Sequence, residues 1–235
     1  MSEPTGKEWH DRIQAGEGVG VALEIIGKFS QGQFPESLMY TPDSAPYKSV
    51  WQETIEAAEK YNDPGQFTAF IGYEWTSNKG GDNRHRVLIY RDGADRASQM
   101  EPFTTLPPLG SPDESKLWEW MAGYEGKTGG DILAIAHNGN LSNGLMFPVI
   151  NAWTGKKVDR QYAEARAKWE PLYEVTQIKG DGETHPFLSK NDEFADYETW
   201  DQGNLDLSVL KENDMLQYEY ARSALQIGLQ LENEL

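Results

Sequence analysis

Residues Phe67–Tyr90 read FTAFIGYEWTSNKGGDNRHRVLIY. Phe67–Tyr73 is an apolar run of strand character that delivers Glu74. A glycine- and asparagine-rich loop follows, and a second run, Val87–Tyr90, opens on His85 between Arg84 and Arg86. If the two strands run back to back, a carboxylate closing the first and a histidine opening the second share one edge of a sheet. Folds place metal ligands and acid–base pairs in this way. The groups that other segments send to the same edge therefore decide the chemistry.

Working outward, Ser49–Tyr61 (SVWQETIEAAEKY) has Trp51, Ile55 and Ala58 at helical spacing, with Ser49 and Gln52 at capping-box spacing. Asn62-Asp63-Pro64-Gly65 stops it, and the first strand follows at once, an αβ unit. Upstream, Lys7–Gln14 and Val21–Phe29 are short helical patterns and residues 31–46 are proline-punctuated loop. Residues 1–46 read as a lead-in and 47–235 as the main domain. Downstream of Tyr90, residues 91–112 form a long polar connection before a helix beginning near Pro112-Asp113. Asp131–Ala136 (DILAIA) reads as a buried parallel strand ending in His137. Asp159–Trp169 is helical, Leu172–Ile178 alternates like a strand, Lys179–Pro186 is loop, and Met215–Leu231 is a last helix. Helix alternating with strand predicts an α/β fold, a parallel sheet or barrel with outer helices.

Composition narrows the function. The chain has 235 residues, long enough to bury a sizeable core, and 38% are hydrophobic with eight Trp, so it is globular. Thirty-eight Asp and Glu against 21 Lys and Arg give a net charge of −17, which argues against nucleic acid or an anionic membrane as partner. The absence of Cys excludes disulfides, thiolate zinc sites and thiol nucleophiles. No apolar run approaches a membrane span, and the opening residues lack an export pattern, so the compartment stays open.

In parallel α/β folds the functional edge is the carboxyl end of the strands. Glu74, His137 and the Lys179–His185 loop all fall there, and His85 enters its strand from the same side. Histidine and carboxylate drawn from separate strand ends suit a metal site. A salt bridge of Glu74 to Arg84 or Arg86 is the plainer alternative. Arg84 and Arg86 suit a phosphate or carboxylate substrate, or else form an ordinary charged rim. Asn138 and Asn140, in the loop after His137, suit substrate positioning, or else simple turn chemistry.

FTAFIGYEWTS, HRVLIYRDGADRA, ILAIAHNGNLSNGLMFP and YEVTQIKGDGETHPFLSKNDEFADYETWD resemble the bacterial proteins grouped as domain of unknown function family 3604, related to the PHP (polymerase and histidinol phosphatase) metallo-phosphoesterases. The resemblance runs from about Trp51 onward. It implies a distorted (β/α)7 barrel with a two- or three-metal site of Zn, Mn or Fe at the carboxyl edge. Glu74 takes the place of the bridging carboxylate, and His85 and His137 those of two histidine ligands. Asn138 stands where that family has proline. The His-x-His and Asp-x-His of PHP sites are missing, so the expectation is an internal fragment holding part of a barrel and part of a metal site.

The function expected is that of a metal-dependent phosphoesterase acting on a phosphorylated or anionic small molecule through metal-activated water. Lys179 and His185 would neutralise charge or protonate the leaving group. Two rivals remain. A ligand- or carbohydrate-binding module predicts Trp75 and Trp153 exposed in one cleft and Glu74 far from His137. A glycosidase-like pair needs Glu74 across a cleft from Glu174 or Glu183.

Overall fold

The computed structural model describes residues 3–235, so the first two residues of the expected lead-in lie outside the described residues. In chain order the elements are α1 (Pro4–Gln14), α2 (Gly18–Ser30), α3 (Ala45–Tyr61), β1 (Gly72–Trp75), β2 (Arg86–Tyr90), α4 (Ala94–Ala97), α5 (Glu114–Thr128), β3 (Ile132–Ala136), α6 (Arg160–Trp169), β4 (Leu172–Tyr173), β5 (Thr176–Gln177), β6 (Gly180–Asp181) and α7 (Ala221–Glu234). Helix α3 starts before Ser49 because Ser44 caps it, accepting from Tyr47 N, and Pro46 fits a first turn that needs no N–H. Asp113 caps α5 by accepting from Ser115 N, and Gly129 ends it in the left-handed region at φ 65°.

The main sheet has the order β1-β2-β3-β4. β1 and β2 are antiparallel, β2 and β3 are antiparallel, and β3 and β4 are parallel. A separate hairpin is made by β5 and β6. The expected partial (β/α)7 barrel with parallel strands is therefore corrected. The protein is a mixed α/β fold with two small sheets, one parallel pair and no closed barrel among the described residues.

The path of the chain explains the difference. Residues 76–85 hold only a short 3-10 turn at Lys79–Gly81, so β2 returns directly beside β1. Between β2 and β3 the sheet is traversed twice. Residues 91–112 run back to the far end, where Pro112 O accepts from Ser77 Oγ at 2.9 Å. α5 then returns to the end where Asp131 O accepts from Arg91 N at 3.0 Å. Two passes leave β3 antiparallel to β2, where a single helical crossover would have made it parallel. The run expected as one strand from Leu172 to Ile178 leaves the sheet after Tyr173 and re-forms as half of the hairpin.

Alternation sorts the sheet into two faces. Leu88, Tyr90, Ile132 and Ala134 are buried against Trp51 and Ile55 of α3, Leu117, Trp118, Met121 and Tyr124 of α5, and Trp169 of α6. Tyr90 meets Tyr124 edge-on with ring centroids 5.0 Å apart. On the other face Glu74, Val87, Ile135 and Leu172 form one row across all four strands. Gly72 is required by this pairing, since a Cβ there would lie 2.6 Å from the backbone oxygen of Leu88. Gly72→Ala is expected to cost about 1–3 kcal/mol, seen as a lower urea midpoint with an unchanged m value.

Candidate metal centre

Glu74 sits within β1, opposite Val87, and Trp75 pairs with Arg86, which pairs in turn with Ala136. One step further along the sheet His85 stands beside His137, whose N–H donates to His85 O at 3.4 Å. Position in the pleat sends all three side chains to the face away from the core. Glu74 Oε1 lies 3.2 Å from His85 Nδ1 and Oε2 lies 3.4 Å from His137 Nε2. One ligand atom from each residue falls within 4.8 Å of the other two. The imidazoles meet nearly edge-on at 5.9 Å between centroids. Both histidines are buried, while the Glu74 side chain is 42% exposed, so the cluster opens to solvent on its carboxylate side.

A polar shell holds the rings. Asn83 Oδ1 accepts from His85 N at 3.0 Å, and Asn83 N donates to Leu141 O at 3.1 Å, which ties the loop before β2 to the loop after β3. Thr76 Oγ1 donates to Glu74 Oε1 at 2.9 Å. Asn138 follows His137 in the left-handed conformation at φ 54°, one that asparagine tolerates better than most side chains. Hydrogen bonds from His137 and then His85 hold the Glu74 carboxyl far below the usual carboxylate range, against its partial burial. Burial pushes His85 down, partly offset by Glu74, and the charges of His137 and Lys179 push in the same direction as burial.

Two imidazoles and a carboxylate suit Zn, Mn or Fe. His85 Nε2 is buried without a hydrogen-bond partner, and so are Asn138 Oδ1 and Asn140 Oδ1. An unsatisfied buried polar atom costs roughly 1–3 kcal/mol unless something satisfies it. The donor set therefore fits a divalent cation.

The remaining expected site residues divide. Lys179 is exposed at the tip of the β5–β6 hairpin, near enough for its charge to act on His85, and Lys179 O accepts from Asn140 Nδ2 at 3.1 Å. Asn138 and Asn140 are buried beside the cluster. His185 lies apart, its ring 5.7 Å from that of Tyr220 and its Nδ1 accepting from Phe187 N. Arg84 and Arg86, expected to flank His85 toward substrate, point into the core side. They are 3% and 1% exposed and pair with Glu114 and Glu170. The alternation that turns His85 to one face of the sheet turns Arg84 and Arg86 to the other. Trp75 is buried, so Trp75 and Trp153 form no exposed cleft. The sequence gives no separate signal for Asn83 or Thr76, which look like ordinary turn residues until the loops are folded together.

Fold and cluster together define a mixed α/β protein with a histidine–carboxylate centre at one end of its sheet. Over residues 1–235 the chain matches the family described as Protein of unknown function (DUF3604), and it belongs to that family. No curated protein and no solved structure matches it. Among the described residues no helix is long and apolar enough to cross a membrane.

Proposed function

We propose that Glu74, His85 and His137 hold a divalent cation and that the protein is a metal-dependent hydrolase of the phosphoesterase type. The observation that carries the metal is the convergence of one ligand atom from each residue within 4.8 Å, drawn from three strand ends. Two histidines and a carboxylate also serve iron oxygenases. The hydrolytic reading rests on the resemblance of the strand-end segments to PHP phosphoesterases.

A bound cation would supply Lewis-acid polarisation and lower the pKa of water. The chain's own residues do the rest. Glu74 is the carboxylate of the set that faces solvent. Lys179 offers a positive charge on the rim for a phosphorylated or otherwise anionic small molecule. Asn138 and Asn140, buried after His137, would support the cluster's loop from beneath rather than meet substrate directly. Arg84, Arg86 and His185 have no part in this reading, because their partners lie elsewhere.

The experiment is elemental analysis of the purified chain and of its Glu74→Ala and His137→Ala variants, with a phosphomonoester and phosphodiester screen. Wild type is expected to retain a transition metal and each variant to lose it. Equal metal content in all three would overturn the metal centre. Metal retention without phosphoester turnover would overturn the hydrolytic assignment.

A further inference from the structure

β4 lies parallel to β3, with Ile135 beside Leu172 and Ala136 beside Tyr173. The pairing does not stop there, because Glu174 N donates to Ala136 O at 3.1 Å. The next step along the two strands sets Glu174 beside His137. Side chains alternate along a strand. Leu172 shares the face of Ile135, and Glu174, two residues on, falls on the face of His137, His85 and Glu74. Neighbouring side chains on adjacent strands have Cβ atoms roughly 5 Å apart, within reach for a glutamate.

The surroundings of Glu174 set it apart from Glu183. It is exposed, and Gln177 Nε2, a neutral donor, approaches its Oε2 at 3.2 Å. Among the described residues no Lys, Arg or His forms an ion pair with it, whereas Glu183 is held by Arg222 at 2.6 Å. A carboxylate free of counter-charge therefore belongs to the residue one strand over from His137. Its oxygens lie outside the three ligand atoms that converge within 4.8 Å, and a change of rotamer is what would bring them in.

We propose that Glu174 is a fourth donor of the centre, giving a divalent cation a second carboxylate. This rests on the metal reading of Glu74, His85 and His137. Two neutral imidazoles and one carboxylate leave a divalent cation with net positive charge, and a second carboxylate cancels it. Added oxygen donation also moves the preference from Zn toward the harder Mn.

The test is calorimetric titration of the whole chain with Mn²⁺ and, separately, with Zn²⁺. Glu174→Gln is compared with wild type, with Glu74→Ala and with Glu183→Gln. Glu174→Gln is expected to weaken Mn²⁺ binding by about 10- to 100-fold and Zn²⁺ binding by less, while Glu183→Gln binds as wild type does. Wild-type affinity in Glu174→Gln, with uptake lost in Glu74→Ala, overturns the fourth donor and leaves the metal centre standing. Equal weakening in Glu174→Gln and Glu183→Gln also overturns it, because the effect is then one of general charge. A wild type that binds neither ion overturns the metal centre itself and the fourth donor with it.

Discussion

Glu170→Ala is expected to destabilise the fold by about 3–5 kcal/mol, the range for a buried ion pair broken on one side. Glu170 stands just past α6 with its side chain 2% exposed, and the side chain of Arg86 on β2 is 1% exposed. Arg86 Nε and Nη2 donate to its two oxygens at 2.9 and 3.4 Å. Trp118 Nε1 donates to it at 2.9 Å, and Arg166 Nη2 lies 3.2 Å away. Burial works against the Arg86 charge, yet Glu170 and Glu114 outweigh it and raise its pKa. Removing Glu170 leaves a guanidinium that keeps its proton at any ordinary pH, buried in the core with only the more distant Glu114 to offset it. Urea unfolding followed by tryptophan fluorescence and by circular dichroism measures the loss. A change below about 1 kcal/mol, the size of an exposed pair, would show that water reaches Arg86 and would overturn the expectation. The functional link is short. Arg86 neighbours His85 in sequence and pairs with both Trp75 and Ala136, so the pair that anchors this side chain also fixes the strand ends that carry the cluster.

What was legible in the sequence follows from which patterns are local. Glu74, His85 and His137 were legible because each adjoins or ends a short apolar run, and strand ends place groups without help from distant contacts. The barrel expectation fails because the deciding segment, residues 91–112, has no period. Nothing in its prolines and polar residues says that it crosses the sheet before α5 crosses back. A helix between two strands implies a parallel pair only when the loop does not make a pass of its own. Arg84 and Arg86 show a different failure. Their proximity to His85 in sequence suggested a shared function, but strict alternation already sends them to the opposite face. The alternation of Leu172–Ile178 continues past Tyr173, and the chain's departure into a hairpin depends on the turn at Ile178-Lys179 and Gly180 at φ 107°.

Glu219→Ala is expected to cost about 3 kcal/mol, the low end for a broken buried pair, and to behave differently with pH. Lys211 Nζ lies 2.6 and 2.8 Å from the Glu219 oxygens, and the side chains are 2% and 0% exposed. Burial lowers the pKa of Lys211 and raises that of Glu219, in each case by more than the partner restores. Attraction between the two thus only partly offsets their desolvation. Glu219 Oε1 accepts from Gly144 N at 3.0 Å and Asn143 Nδ2 donates to Val209 O at 3.1 Å, so this segment grips the loop that begins at His137. Without Glu219, Lys211 can do what Arg86 cannot: release its proton. Asp82 and Asp201 favour its charge, but burial opposes it more strongly. A folded pKa below the unfolded value near 10.4 means that the unfolded chain binds more protons between the two values. Stability of Glu219→Ala is therefore expected to rise as the pH is raised through that window. Glu170→Ala is expected to show no such recovery. Lys211→Met combined with Glu219→Gln removes both charges and keeps an acceptor for Gly144 N, so it is expected to regain most of the loss. If Glu219→Ala and the double variant unfold at the same urea midpoint at every pH tested, the buried charge of Lys211 is not the source of the cost. Loss of the anchor to Gly144 N is then no explanation either, because the double variant keeps it.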